Sequence, residues 1–520
     1  RENRRKVCVS LLDGESCPFR LDLMSAQRFT AYLLSLKKPT GGKLSNSAYG
    51  SKRAAFHHLF RSYGVEQNTK LQNELPRAMR GLKRKVAIAT QAGDGRIMTG
   101  MEPISFRLYR FLCQKFLEID GRDGVFGLAF LVLTWNLGCR SKNTCTLQLK
   151  HLHWAEDSFQ IFFCHQKTDQ TGDKKRHPRN IYPNPLDPCI CPLLALSLYF
   201  IVFPDVLKRG GPLFPGKYQY NRFSALLSRV VNCHKEAVSD MGHNPKFIGV
   251  HSVRKGAATY ASSGSTVGPS CAAVSLRVGW TLGSVEDRYI WYEGAGDQYC
   301  GRVLCGLPVN SSKFATLLAR FVLPQGAAHD EHEHQVRLCV NALFLSTPPR
   351  NLTAFLLHGV ACCLNHFDFL NATLSSNSRV RFSALFTQDF SALRRIVRCG
   401  SPWDDGFADV APTGIPPHVA QLAEMEALKA AFVSAKDETT QKIVADLDAR
   451  QMGGVLSEAR IREILTATFQ AQIQGLRADV TALREGTATE DRPNNPAPGL
   501  SRYNVFYFSG KYSKTPQDWT

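Results

Sequence analysis

His251-Ser-Val-Arg254 places an imidazole and a guanidinium one helical turn apart, on the same face. Gly279-Trp280-Thr281 follows, and Tyr289, in Asp287-Arg288-Tyr289-Ile290, lies nine residues beyond Trp280. Upstream stand Gly138-Cys139-Arg140 and, 27 residues later, Lys167. These residue types suit transesterification of a phosphodiester without a metal. A tyrosine hydroxyl is an uncharged nucleophile able to attack phosphorus. Two guanidiniums, Arg140 and Arg254, match the charge that grows on the non-bridging oxygens, because each is a planar fork of donors. A lysine on a turn can give a proton to the leaving oxygen, and an imidazole can share the proton of the tyrosine. The indole N–H of Trp280 adds a donor while its ring packs the site. Alternatives stand beside these assignments. Tyr292 is a rival nucleophile one turn from Tyr289, Lys174 and Lys175 rival Lys167, and Arg254 has an ordinary salt bridge as its plain reading.

Elements must carry these residues. The apolar run Phe126–Leu137 reads as a buried helix that delivers Gly138-Cys139-Arg140 at its end. Phe159–Phe163 alternates as a strand does, Lys167 to Gly172 is a turn, and a second strand runs through Arg179–Tyr182. Lys167 is thereby expected at the tip of a hairpin. Cys191-Pro192 opens a helix through Tyr199, with the proline in its first turn. Further upstream, residues 15–90 read as helices. Leu23, Phe29, Tyr32 and Leu33 repeat at helical spacing, as do Ala55, His58, Leu59 and Tyr63. Pro39–Gly42 forms a loop between them, and Ser45 is a candidate cap for the second helix. Arg77, Arg80, Lys83, Arg84 and Lys85 crowd one stretch of a third helix, which suits phosphate contact better than a merely solvated face. The polar, glycine-rich stretch 90–101 suits a linker.

Charge suggests a polyanionic partner, nucleic acid before an anionic membrane, with a basic, soluble surface as the plain alternative. Lys and Arg outnumber Asp and Glu by 64 to 44, and residues 1–100 hold 19 basic and 7 acidic residues, so +12 of the net +20 lies in the first fifth of the chain. The 16 cysteines show no metal spacing and no signal peptide precedes them, so reduced thiols in a cytosolic or nuclear compartment are expected. No apolar run of about 18 residues exists, so no membrane span is expected. The chain opens on Arg1, which reads as the start of a fragment.

Residues 310–416 are mixed and offer no usable motif. His329-Asp-Glu-His-Glu-His334 could attract a metal, although an exposed charged loop is the plainer reading. Residues 418–490 turn acidic, with 8 basic against 11 acidic residues. Phe469, Ile473, Leu476, Val480 and Leu483 step by four and three, as a heptad seam does, and Leu422, Met425 and Leu428 begin a similar pattern before Gly453-Gly454.

The ordered set Arg140, Lys167, His251-x-x-Arg254, Trp280, Tyr289 resembles the tyrosine recombinase (phage-integrase-like) family, and Cre-type members closely, over about residues 15–300. One departure stands out: the family usually has an acidic residue three after the first arginine, and this chain has Asn143. The CPLLALSLY segment and the terminal YNVFYFSGKYSKTPQDWT look like Crypton elements, transposons that pair such a recombinase with a C-terminal DNA-binding domain.

The resemblance implies a fold that is mainly α with a small mixed β component. It gives a helical core-binding domain (1–95), an α/β catalytic domain (100–305) and the start of a further DNA-binding domain (500–520), while the residue pattern itself adds a helical region without assigned role (306–416) and a coiled coil (418–486). The first two would clamp double-stranded DNA. The implied activity is cutting and rejoining of DNA through a 3′-phosphotyrosine, without cofactor or metal, by a homo-oligomer that is a tetramer on DNA in the nucleus. A domesticated DNA-binding protein that has kept the fold without the catalysis is the alternative, and a type IB topoisomerase is the nearer chemical relative.

Overall fold

The computed structural model describes residues 20–37, 43–92, 100–163, 178–280, 282, 294–323, 328–344, 349–404, 406–407, 409–451 and five positions between 467 and 475. Internal contacts divide the chain into two units, Arg1–Gly100 and Met101–Thr520.

In the first unit three helices enclose one small core: α1 (Ala26–Ser35), α2 (Asn46–Ser62) and α3 (Thr69–Gln91). The Ser25 and Ser45 hydroxyls accept the Arg28 and Ala48 N–H groups and so cap α1 and α2. The core is Phe29 and Leu33 of α1, Tyr49, Phe56 and Phe60 of α2, and Leu71, Leu75, Met79 and Leu82 of α3. Phe29 stacks on Phe56 with ring centroids 4.1 Å apart. The inward face of α2 differs from the periodic set Ala55, His58, Leu59 and Tyr63. Ala55, His58 and Tyr63 are exposed and Leu59 is half-buried. The rings at 49, 56 and 60 also recur at helical spacing, and they bury more apolar area, so the helix turns them inward. Pro39–Gly42 lies outside the described residues.

The second unit is built around α5 (Asp123–Leu137), which is buried on every side from Gly124 onward. Around it pack α4 (Phe106–Leu117), α7 (Pro192–Val202), α8 (Gln219–Cys233) and α9 (Val250–Ser263). Pro192 occupies the first turn of α7, as expected. Trp135 of α5 stacks on Tyr109 at 4.2 Å and donates its indole N–H to the Leu304 carbonyl at 3.0 Å.

Beside this helical mass lies an antiparallel sheet in the order β1 (Leu152–Ala155), β2 (Ser158–Ile161) and β3 (Arg179–Ile181). The register pairs Trp154 with Phe159, His153 with Gln160, and Gln160 with Asn180. Alternation therefore puts Leu152, Phe159 and Ile161 against the core and Gln160 and Asn180 on the opposite face. Strands β2 and β3 match the two expected from sequence, and β1 is an addition.

The region from 310 to 400 packs into the same core. In α12 (Ala328–Phe344) Val336 and Leu343 are buried, and in α13 (Thr353–Asn365), which lies against α7, Phe355, Leu356 and Val360 are buried. Last comes α14 (Pro417–Gln451), on which Met425, Leu428, Phe432 and Val433 are exposed. The heptad seam 469–483 and the terminal segment 500–520 lie outside the described residues. Among those described, no single helix is long and apolar enough to cross a membrane, and every cysteine is a free thiol. The fold is thus mainly α with a small β component.

Candidate active site

Arg140 sits one residue past a sharp turn. Helix α5 ends at Gly138, whose φ of +56° is left-handed. A Cβ there would lie 2.9 Å from Val278 Cγ1, so glycine serves both the conformation and the close approach. The chain then re-enters a short helix, α6 (Ser141–Cys145), with Arg140 at its N-cap and half-buried.

Trp280 is presented by the same device. Helix α10 (Cys271–Val278) ends at Gly279, φ +71°, whose N–H bonds the Leu276 carbonyl while the Trp280 N–H bonds that of Ser275 at 2.9 Å. The tryptophan emerges 50% exposed.

Arg254 joins these two turns. It lies on α9, is 6% exposed, and donates Nε–H to the Gly138 carbonyl at 3.1 Å and Nη2–H to the Val278 carbonyl at 2.5 Å. These bonds go to main-chain oxygens and not to a carboxylate. Among the described residues no carboxylate forms an ion pair with Arg254 or Arg140. Burial and the neighbouring Arg140 charge both push the Arg254 pKa down. Two guanidiniums 114 positions apart in sequence thus repel each other at one spot.

His251, one turn before Arg254, is exposed. Local desolvation, then the charges of Lys255, Arg254 and Arg140, hold its pKa below the ordinary value of 6.5. Its imidazole is therefore mostly neutral at pH 7 and free to accept a proton. Lys255 adds a fourth basic group and donates Nζ–H to the Met101 carbonyl at 2.6 Å. Sequence reading gave Lys255 no role, although its place directly after Arg254 was a usable signal.

The structure therefore brings Arg140, His251, Arg254 and Trp280 to one locality. Lys167 and Tyr289, with the rivals Lys174, Lys175 and Tyr292, lie outside the described residues. Their flanks are described. Segment 164–177, which contains Lys167, joins β2 to β3, and segment 283–293, which contains Tyr289, leads into α11 (Gly294–Leu304). Among the described residues no hydrogen bond links the Asn143 side chain to Arg140.

Two other expectations can be placed. Arg77, Arg80, Lys83, Arg84 and Lys85 are all exposed on α3, opposite or beside its buried row, and none forms an ion pair among the described residues. Arg77, Arg80, Lys83 and Arg84 share one side of the helix. In the His329–His334 stretch, His329, Asp330 and Glu333 bring ligand atoms within 4.8 Å of one another. Arg337 is 3.0 Å from the Glu333 carboxylate and competes for it, and His329 and Asp330 are exposed.

No family model and no curated protein matches this chain. Among solved structures it is similar to the XerH site-specific recombinase bound to palindromic difH substrate in a post-cleavage complex. That alignment has 11% identity and a TM-score of 0.32, and covers 52% of this chain and 69% of the other. It is also similar to an FLP recombinase–Holliday junction complex, at 10% identity and a TM-score of 0.32, over 59% and 77% of the two chains.

Proposed function

We propose that this chain cuts and rejoins double-stranded DNA as a tyrosine recombinase. The observation that carries the reading is the cluster itself. Two guanidiniums and a depressed imidazole converge at two glycine turns, and among the described residues no carboxylate pairs with them. Cations held together against their own repulsion make sense if an anion joins them, and a planar fork is the group that fits a phosphate.

In the step proposed, the Tyr289 oxygen attacks phosphorus and gives its proton toward neutral His251. The bond from phosphorus to the 5′ oxygen breaks, and that oxygen takes a proton from Lys167. A 3′-phosphotyrosine forms while Arg140, Arg254 and the Trp280 indole hold the non-bridging oxygens. Attack by a 5′ hydroxyl of another strand reverses the step. The ester energy is kept in the phosphotyrosine, so the chemistry calls for no nucleotide cofactor.

The five basic residues of α3 would hold duplex phosphates, and a homo-oligomer, a tetramer on DNA, would bring two sites together in the nucleus. The CPLLALSLY segment and the terminal stretch support a mobile-element recombinase of Crypton type.

The test uses the full chain and a library of nicked duplexes with a randomised core. The nick lets the short product strand diffuse away and traps the covalent intermediate. We expect a denaturation-resistant protein–DNA adduct that Tyr289→Phe abolishes with duplex binding unchanged, and that Tyr292→Phe leaves in place. A wild-type chain that binds DNA and leaves no adduct would establish the catalytically silent alternative.

A further inference from the structure

A second polar cluster adjoins the first through α10, and its charged members are buried. Arg277, on α10 three residues before Trp280, is 2% exposed, and Asp297, on α11, is 3% exposed. Arg277 Nη1 lies 2.7 Å from Asp297 Oδ1. The same guanidinium donates Nε–H and Nη2–H to the Asn136 carbonyl at 3.0 and 2.8 Å, and Nη2–H also to the Asn180 carbonyl at 2.8 Å. Asp297 Oδ2 accepts the Asn180 main-chain N–H at 2.8 Å and its side-chain N–H at 3.0 Å. The Asn180 Oδ1 in turn accepts from Ser158 and Gln160 of β2, both at 3.1 Å.

The positions of these partners in the chain matter more than their number. Asn136 lies four residues before Arg140. Asn180 lies on β3, directly after the segment with Lys167. Arg277 and Asp297 flank the segment with Tyr289, one before it and one after. Asp297, paired with Arg277 and also 3.9 Å from Arg179 Nη1 of β3, therefore ties down with its partners the flanks of every segment that carries a proposed catalytic residue, except α9. Arg254 of α9 reaches the same elements through Gly138 and Val278.

Stability alone is a poor reason for this cluster. A buried ion pair gives up the hydration of both charges, and apolar residues of similar volume often do as well. What apolar packing lacks is direction. Hydrogen bonds fix the angle at which each strand and helix end meets its neighbours, which is what a site assembled from four separate chain segments requires.

We infer that Arg277 and Asp297 are positioning residues, whose buried pair fixes the chain on either side of Tyr289 and just after Lys167 relative to the elements that carry Arg140 and Arg254. This inference rests on the strand-transfer reading above. Asn180 has the narrower task of holding the Lys167 segment.

The experiment uses the full chain and the nicked duplex that the wild type selects. That duplex is made in two forms, one with the ordinary 5′ oxygen and one with sulfur at the bridging position. A thiolate leaves without a proton, so only the oxygen form needs the lysine. Asp297→Asn should bind DNA as the wild type does, yet form adduct about a hundredfold more slowly on both substrates, as displacement of a reacting group by about 1 Å does. Asn180→Ala should be slow on the oxygen substrate and restored on the sulfur one.

If Asp297→Asn does not fold, the double variant Arg277→Met with Asp297→Leu replaces the pair with apolar side chains and carries the same expectation. Wild-type rates on both substrates, or binding and rate falling together in proportion, would overturn the positioning role. Failure of the wild type to form adduct is a separate result and counts against the strand-transfer reading itself.

Discussion

Replacing Arg254 with lysine keeps one positive charge and removes the fork. In the structure that fork has two tasks. Its Nε–H and Nη2–H bond the Gly138 and Val278 carbonyls at the turns that present Arg140 and Trp280, and in the function proposed its remaining N–H groups and its charge serve a phosphate. Each turn-closing bond comes from a charged donor, worth about 1.5–3 kcal/mol. A lysine ammonium is a point donor and can keep one of the two carbonyls at best, so the unfolding free energy should fall by about 1.5–3 kcal/mol. The catalytic loss is larger. Removing one preorganised donor from a transition-state oxyanion costs about 10²–10³-fold in rate. The two effects separate experimentally. Urea titration of the full chain reads the first, and adduct formation at saturating nicked duplex, well below the unfolding transition, reads the second. Cleavage within a few-fold of the parent would refute the phosphate clamp. Unchanged stability would refute the claim that Arg254 holds both turns.

The depressed pKa of His251 fixes the sign of a pH effect. The folded imidazole resists protonation, so adduct formation should persist as pH falls through 6.5, the ordinary histidine value, and decline only below it, whereas His251→Gln should be slow at every pH and lack that decline. The unfolded chain takes up this proton first, so stability should drop as pH falls from the ordinary histidine range through the folded value, and His251→Gln should lessen that drop in acid titrations of unfolding. Neutralising any of Arg77, Arg80, Lys83, Arg84 or Lys85 that touches a phosphate should lower the slope of log affinity against log salt by about 0.9; an unchanged slope for all five would remove α3 from the interface. Ile473→Asp with Val480→Asp should weaken self-association, read by light scattering with and without DNA, and leave single-site adduct formation intact. Unchanged mass would place that segment within its own chain.

The gathering of Arg140, His251, Arg254 and Trp280 was legible along the sequence because their residue types and spacings are local or ordered. His251 and Arg254 share a helix face by arithmetic, Gly138 and Gly279 mark the turns that expose their neighbours, and the apolar run before Arg140 can only be a buried element. Ser45, Pro192 and the strands of 158–161 and 179–181 announced themselves through capping, ring and alternation rules that act over a few residues. The buried face of α2 did not, because Ala55 and Leu59 offered a competing apolar spacing, and only packing against Phe29 selected the rings of Tyr49, Phe56 and Phe60. Nor did the membership of residues 310–400 in the core, since a mixed segment without periodicity shows its apolar face only when α7 lies against it. The pair of Arg277 and Asp297 was beyond sequence reading altogether. Each looks like an ordinary surface charge in its own helix, and its partners lie 20 to 141 positions away. Residue type fixes what chemistry a side chain can do. Which charges are stripped of water, and which are brought face to face, is settled only when distant segments close around them.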